Sequence, residues 1–198
     1  MDLVRKLEGV VTFAVVQIVW FSSVLGAARG IYWLGPVVAL ALAAAHLGYT
    51  RTWRRDLATM LGLAATGLVL DSLLTALGLL HFRGSPTSWL VPLWAVGLWL
   101  HFGVLRHSLL RMLYGRPLVA AVLGAIGGPF AYLAGVELGA ATFHPNTAWS
   151  LLGVGVVWAL ALPWASHLAW RGVTRSEDVQ TPAPTPRLLP VDGPEAVR

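Results

Sequence analysis

The sequence predicts an all-α membrane protein, a polytopic bundle of six transmembrane helices with both ends in the cytoplasm. Three observations carry this prediction. The composition is 57% hydrophobic and only 12% charged, the apolar runs are about as long as a bilayer is thick, and the basic residues are concentrated between alternate runs. Soluble domains average about 25% charged residues, so the composition excludes an ordinary soluble fold.

Six apolar runs predict the six helices. A helix needs about 20 apolar residues to cross the hydrocarbon core of a bilayer. We expect the helices at about 10–28, 31–49, 57–80, 89–109, 117–141 and 148–170. The first run follows Arg5 and Lys6 and has the outline of a signal peptide, but its length of about 19 residues is typical of a span. We therefore interpret it as a retained helix.

The basic residues predict the orientation of the bundle. If all six helices insert, only Arg29 and Arg83 of the fourteen Lys and Arg residues lie on one side. The other twelve lie opposite: Arg5, Lys6, Arg51, Arg54, Arg55, Arg106, Arg111, Arg116, Arg171, Arg175, Arg187 and Arg198. Since cytoplasmic loops carry an excess of Lys and Arg, we expect a multi-pass protein of the bacterial inner membrane. The formal charge of +5 is then a topology signal, and we expect no nucleic-acid partner.

The C-terminal segment differs from the rest of the chain. Residues 172–198 are polar and rich in proline, so we expect a disordered cytoplasmic tail beyond a transmembrane domain at 1–171. The chain has no cysteine, which excludes disulfides, thiolate metal sites and cysteine nucleophiles.

Asp71 is the first candidate functional residue, because it lies inside the third predicted helix. A carboxylate at the centre of a membrane helix costs about 2.5–3.5 kcal/mol on insertion scales and normally faces protein or water. Gly67 and Thr75 lie four residues away on either side, so Asp71 belongs to a small and polar stripe that should face the bundle. The carboxyl group either binds substrate or relays protons, or it is a buried structural group.

His101 is the second candidate, because it is the deepest histidine. Its depth differs from that of Asp71 by about one helical turn, so the two side chains can exchange a proton if their helices are adjacent. His46, His107 and His167 lie nearer the cytoplasmic ends, where a histidine needs no special role. No two histidines have the three- or four-residue spacing of helical metal sites, so we expect no metal and no cofactor.

The fifth predicted helix contains Gly127, Gly128 and Pro129, followed by Tyr132 and Gly135. Small residues on one face allow a second helix to approach closely. A proline near the middle of a span kinks the helix and frees a backbone carbonyl. Such an interruption either marks a binding site, as in transporters, or belongs to a tight helix crossing.

Three features together resemble the Domain of Unknown Function 2878 family of small bacterial inner-membrane proteins, over about residues 8–170. They are Asp71, the pair His107-Ser108, and the run from Gly127 to Gly135. Members are often encoded near cyclopropane-fatty-acid-synthase-like and other lipid-related enzymes. The resemblance therefore implies a role in membrane-lipid modification or envelope stress, and it assigns no activity to any residue.

Three classes of function remain open. The first is a protein that binds or helps to process membrane lipids, which predicts a cleft open to the bilayer. The second is a proton-coupled carrier of a small solute that uses Asp71 and His101, which predicts a polar cavity. The third is a non-catalytic scaffold, which predicts that Gly128 and Gly135 face outward. The expected partners are the lipid bilayer and either lipid-modifying enzymes or other membrane proteins. The sequence contains none of the known catalytic motifs, so it does not assign a reaction.

Overall fold

The computed structural model describes the backbone of residues 2–180 and the side chains of residues 10–170. The fold is all-helical apart from two short strands. The helices are α1 (Asp2–Ala28), α2 (Leu34–Tyr49), α3 (Trp53–Ala76), α4 (Leu93–Phe102), α5 (Leu109–Met112), α6 (Pro117–Glu137) and α7 (Thr147–Gln180). The strands are β1 (Leu80–Phe82) and β2 (Ala141–Phe143). Helix α7 continues to Gln180, whereas the predicted tail begins at 172, and the rest of that tail lies outside the described residues.

Within the described residues, four helices are long and apolar enough to cross a membrane, which indicates a membrane protein. They are Val10–Ala28 of α1, the whole of α3, the whole of α6, and Thr147–Trp170 of α7. Helix α2 has 16 residues and is only about 24 Å long, against a hydrocarbon core of about 30 Å. Four of the six predicted spans therefore correspond to helices long and apolar enough to cross a membrane.

The predicted fourth span, 89–109, is not one continuous α-helix. Helix α4 ends at Phe102, a 3₁₀ helix covers Gly103–His107, and the short α5 begins at Leu109. Gly103 lies directly against α3, where a Cβ atom on it would come within 2.8 Å of the Cα atom of Met60. The apolar pattern did not reveal this change from α-helix to 3₁₀ helix or the close approach to α3. Residues 89–105 are nearly all apolar, and hydropathy alone does not distinguish α from 3₁₀ turns.

The two strands mark one end of the bundle. β1 follows α3, β2 follows α6, and the strands pair antiparallel with His81 opposite Thr142. Arg83, just after β1, donates a hydrogen bond of 2.7 Å to the carbonyl of Ala28 at the end of α1. We call this the strand end (residues 29–33, 77–92 and 138–146). The opposite side, with residues 50–52 and 103–116, is the basic end.

The helices form two packed groups. Helix α4 packs against α1, α2 and α3, while α6 packs along α7, and α3 also contacts α7. Gly124 and Gly128 allow the close packing of α6 on α7, because a Cβ atom on either glycine would overlap Trp158. The predicted small-residue face of α6 therefore contacts α7 at Gly128.

The predicted kink residue Pro129 lies inside a continuous α6. It cannot donate to the carbonyl of Ala125 four residues earlier. That carbonyl lies against α7 instead, where a Cβ atom on Gly155 would be 3.3 Å from the oxygen. The proline is thus accommodated at the helix crossing. Gly128 and Gly135 are buried, whereas the scaffold hypothesis requires them to face outward.

We expect Gly128→Ala to lower the stability of the purified protein by about 1–3 kcal/mol, the usual effect of overpacking. Gly127→Ala is the matched control, since Gly127 is exposed and has open space where a Cβ atom would stand. Thermal unfolding of both variants in the same detergent measures the difference. Equal melting temperatures would contradict the close contact between α6 and Trp158.

Candidate functional site: an intramembrane cavity

Asp71 is buried and joins three helices through its side chain. Trp99 of α4 donates its indole N–H to Oδ2 at 2.8 Å, and Tyr132 of α6 donates its hydroxyl to Oδ1 at 2.6 Å. Both carboxyl oxygens therefore have a donor from a different helix. Hydrogen bonds to charged groups contribute about 1.5–3 kcal/mol each, so the buried acid is a structural centre as well as a candidate functional group.

The small residues around Asp71 create room for this arrangement. A Cβ atom on Gly67, one turn earlier on α3, would overlap the indole of Trp99. Thr75, one turn later, donates its hydroxyl to the backbone carbonyl of Asp71 at 2.9 Å. Gly67, Asp71 and Thr75 are all buried, so the stripe predicted from their spacing does face the interior.

A cavity of about 220 Å³ lies beside Asp71. Its walls come from α1, α3, α4, α6 and α7 and from the two strands. They are predominantly aromatic and aliphatic. Trp99 and Trp158 stack with their ring centroids 4.7 Å apart, and Phe102 meets Trp158 edge-on at 5.6 Å. Gly135 also lines the cavity, with open space where its Cβ atom would stand.

The cavity lies where the two groups of helices meet least closely. Val16 and Trp20 of α1 line it on one side, and Ala131 and Tyr132 of α6 line it on the other. Among the described residues, α1 packs mainly on α2 and α4, α6 packs mainly on α7, and no comparable packing joins α1 to α6. Ala131 is exposed at this boundary. The exposed Ala131 thus places part of the cavity wall at the side of the bundle, between α1 and α6.

His101 lies in the wall of the same cavity and is 1% exposed. Neither of its ring nitrogens has a hydrogen-bond partner among the described residues. Asp71 and His101 thus line one cavity, but Trp99 and Tyr132, and not His101, hold the carboxyl group. A buried polar atom without a partner costs about 1–3 kcal/mol. Trp158 also lines the cavity, and its indole nitrogen likewise has no hydrogen-bond partner among the described residues. The imidazole and this indole N–H are therefore the polar groups of the cavity that are available to a bound molecule.

A second polar cluster lies at the basic end and was missed in the sequence. Asp56 at the start of α3 is 1% exposed, and Nη1 of Arg106 donates to its Oδ1 at 2.6 Å. Thr52 donates to the same oxygen at 3.2 Å. Nε2 of His46 and Nε2 of His107 each lie 3.1 Å from Oδ2. The signal that indicates this site is an acid within the basic segment between two apolar runs, where a carboxylate needs a cationic partner.

Tyr114 supports the 3₁₀ helix that carries Arg106. Its hydroxyl donates to the backbone carbonyl of Arg106 at 3.4 Å, and its ring meets that of Trp170 edge-on at 5.1 Å. Burial raises the pKa of Tyr114 above its ordinary value of 10.0, so the hydroxyl keeps its proton at neutral pH and remains a donor.

We expect Tyr132→Phe to lower the free energy of unfolding by about 1–3 kcal/mol, because Asp71 loses one of its two buried donors. Tyr49→Phe is the control, since Tyr49 is 92% exposed. Chemical or thermal unfolding in detergent measures both variants. If Tyr132→Phe were as stable as Tyr49→Phe, the hydrogen bond to Asp71 would not hold α6 to α3.

We also expect Asp56→Asn to destabilise the protein by about 3–5 kcal/mol, because Arg106 would remain buried without a counter-charge. Glu137→Gln is the control, since Glu137 is exposed at the end of α6. The yield of monodisperse protein and its melting temperature report the effect. A small change in both would show that Arg106 does not depend on Asp56.

No curated protein and no solved structure matches this chain. The family model described as "Protein of unknown function (DUF2878)" matches residues 9–164, which include Asp56, Asp71, His101 and His107. This match covers most of the chain and confirms the family that the sequence resembles. The chain belongs to the DUF2878 family.

Proposed function

We propose that this protein is a multi-pass protein of the bacterial inner membrane that binds a neutral lipid in the cavity beside Asp71 and His101. The observation that carries the proposal is an apolar cavity at the side of the bundle with a buried, unpartnered imidazole in its wall. Lipid would enter from the bilayer between α1 and α6.

The arrangement of the helix ends supports six membrane crossings. The segment after α2 and the segment from the 3₁₀ helix to α6 both lie at the basic end, whereas the two strands lie at the other end. In the proposed topology, α2 and the α4–3₁₀ segment cross as short elements inside the bundle. The basic end then faces the cytoplasm, in agreement with the excess of Lys and Arg there.

The size of the cavity restricts what it can hold. An apolar cavity of about 150 Å³ accommodates a benzene molecule, so about 220 Å³ accommodates a somewhat larger ring or a short section of chain. It is smaller than the pockets of about 300–1,000 Å³ that enclose whole drug-sized ligands. The proposed ligand therefore places one part in the cavity and leaves the rest of its chain in the bilayer.

The polar groups of the cavity restrict the chemistry of the ligand. Trp99 and Tyr132 already satisfy Asp71, so the unpartnered imidazole of His101 and indole N–H of Trp158 are the groups that would bind a ligand hydroxyl or carbonyl. A charged head group would lose its hydration among apolar walls without a paired ion. These constraints favour a neutral lipid with a hydroxyl or carbonyl group. They also favour lipid binding over a proton-coupled solute carrier, which needs a polar path to water.

The test is to fill the cavity without changing the outer surface. Gly135→Phe places a ring in the open space at the cavity wall, and we expect the neutral lipid that copurifies with the protein to fall about tenfold or more, the effect of losing about 1.4 kcal/mol of binding free energy. Mass spectrometry of lipids extracted from the purified protein measures the loss.

Gly127→Phe is the matched control, because it adds the same ring to the same helix at an exposed position with open space around it. We expect this variant to keep the lipid content of the wild type. His101→Phe, which removes the unpartnered imidazole, should also lose the lipid. Equal lipid content in wild type, Gly135→Phe and Gly127→Phe, with equal melting temperatures, would overturn the proposed function.

A further inference from the structure

We propose that His46, Asp56 and His107 form a binding site for a divalent transition-metal cation such as Zn²⁺. The site lies at the basic end, with Asp56 about 22 Å along α3 from Asp71. None of its three residues lines the lipid cavity. Three different elements supply its side chains: the end of α2, the start of α3 and the 3₁₀ helix.

The distances between the ligand atoms suit a zinc ion. Nε2 of His46 and Nε2 of His107 each lie 3.1 Å from Oδ2 of Asp56. Each of the three residues offers one possible ligand atom, and these three atoms all lie within 4.8 Å of one another. Zinc bonds to His and Asp are about 2.0–2.2 Å long, so neighbouring ligand atoms in a tetrahedral site are about 3.3 Å apart. A small rotation of the half-exposed His107 closes the remaining distance between the two imidazoles.

The surroundings of Asp56 orient the carboxylate as a ligand. Arg106 and Thr52 both donate to Oδ1. Nε2 of His107 lies 3.1 Å from both carboxylate oxygens, and Nε2 of His46 lies 3.1 Å from Oδ2, so Oδ2 is the oxygen that the two imidazoles share. Carboxylates that bind metals are commonly held by outer hydrogen bonds of this kind. The guanidinium also repels a cation, and an anionic fourth ligand such as hydroxide would offset that repulsion. The half-exposed side at His107 is open to receive one.

The donor set determines which cations fit. Two imidazole nitrogens and one carboxylate oxygen suit Zn²⁺, Co²⁺, Ni²⁺ or Cu²⁺, whereas Mg²⁺ and Ca²⁺ prefer oxygen ligands alone. The sequence argument against a metal site considered histidine pairs on a single helix. His46 and His107 are 61 residues apart in the chain and meet only through the packing of α2 and the 3₁₀ helix around Asp56.

The experiment is a titration of the full-length protein in detergent with Zn²⁺ after removal of bound metal by a chelator. We expect one Zn²⁺ per chain by calorimetry, with affinity that falls as the pH is lowered because protons compete for the imidazoles. His46→Ala and His107→Ala should each weaken binding by at least about tenfold. Co²⁺ in place of Zn²⁺ should give the visible absorption of a tetrahedral site.

His81→Ala is the matched control, because His81 is an exposed histidine at the strand end. We expect it to bind Zn²⁺ as the wild type does. His107→Gln serves as a second variant if His107→Ala fails to fold. Absence of Zn²⁺ binding by the wild type, or unchanged binding by a folded His107 variant, would overturn the proposal. The lipid content of the His107 variants should stay that of the wild type, which separates this test from that of the cavity.

Discussion

The hydrogen-bonded carboxyl group of Asp71 is the constraint on which the centre of the structure depends. An acid inside a membrane helix must find partners within the protein, because the bilayer core offers none. Trp99 and Tyr132 provide them, from α4 and α6. These bonds tie the α1–α4 group to the α6–α7 group, and they fix two of the aromatic rings that form the cavity. The same acid that is expensive to insert therefore determines how the helices are placed around the cavity.

Close contacts between glycine and tryptophan explain why a cavity exists beside Asp71. Gly67 receives the indole of Trp99, and Gly128 receives the side chain of Trp158, while Gly124 lies against the backbone of Trp158. The indoles of Trp99 and Trp158 thus fill the space above Gly67 and Gly128, as tight packing of protein interiors requires. Gly135 lines the same wall and has no ring opposite it. Space remains there, next to the boundary between α1 and α6, and this is the space we assign to a lipid.

Within the described residues, the buried acids Asp71 and Asp56 lie in two different environments. Asp71 has neutral donors among aromatic rings, while Asp56 at the basic end has Arg106 and two histidines. The first arrangement suits an apolar ligand that carries a hydrogen-bonding group. The second holds together short elements that have little packing area of their own. It also brings two imidazoles to one carboxylate oxygen, and this is the basis of the proposed metal site.

The sequence by itself determined the membrane character of the chain, the family, the four long apolar helices and the inward face of Asp71. These follow from length, hydropathy and helical spacing, which are local properties. Only the tertiary structure decided that Asp71 bonds Trp99 and Tyr132 and not His101, and that the segment 89–109 breaks into a 3₁₀ helix. It also decided that His46 and His107 converge on Asp56. The physical reason is that helical periodicity fixes the direction of a side chain, whereas its partner on another helix depends on which helices become neighbours.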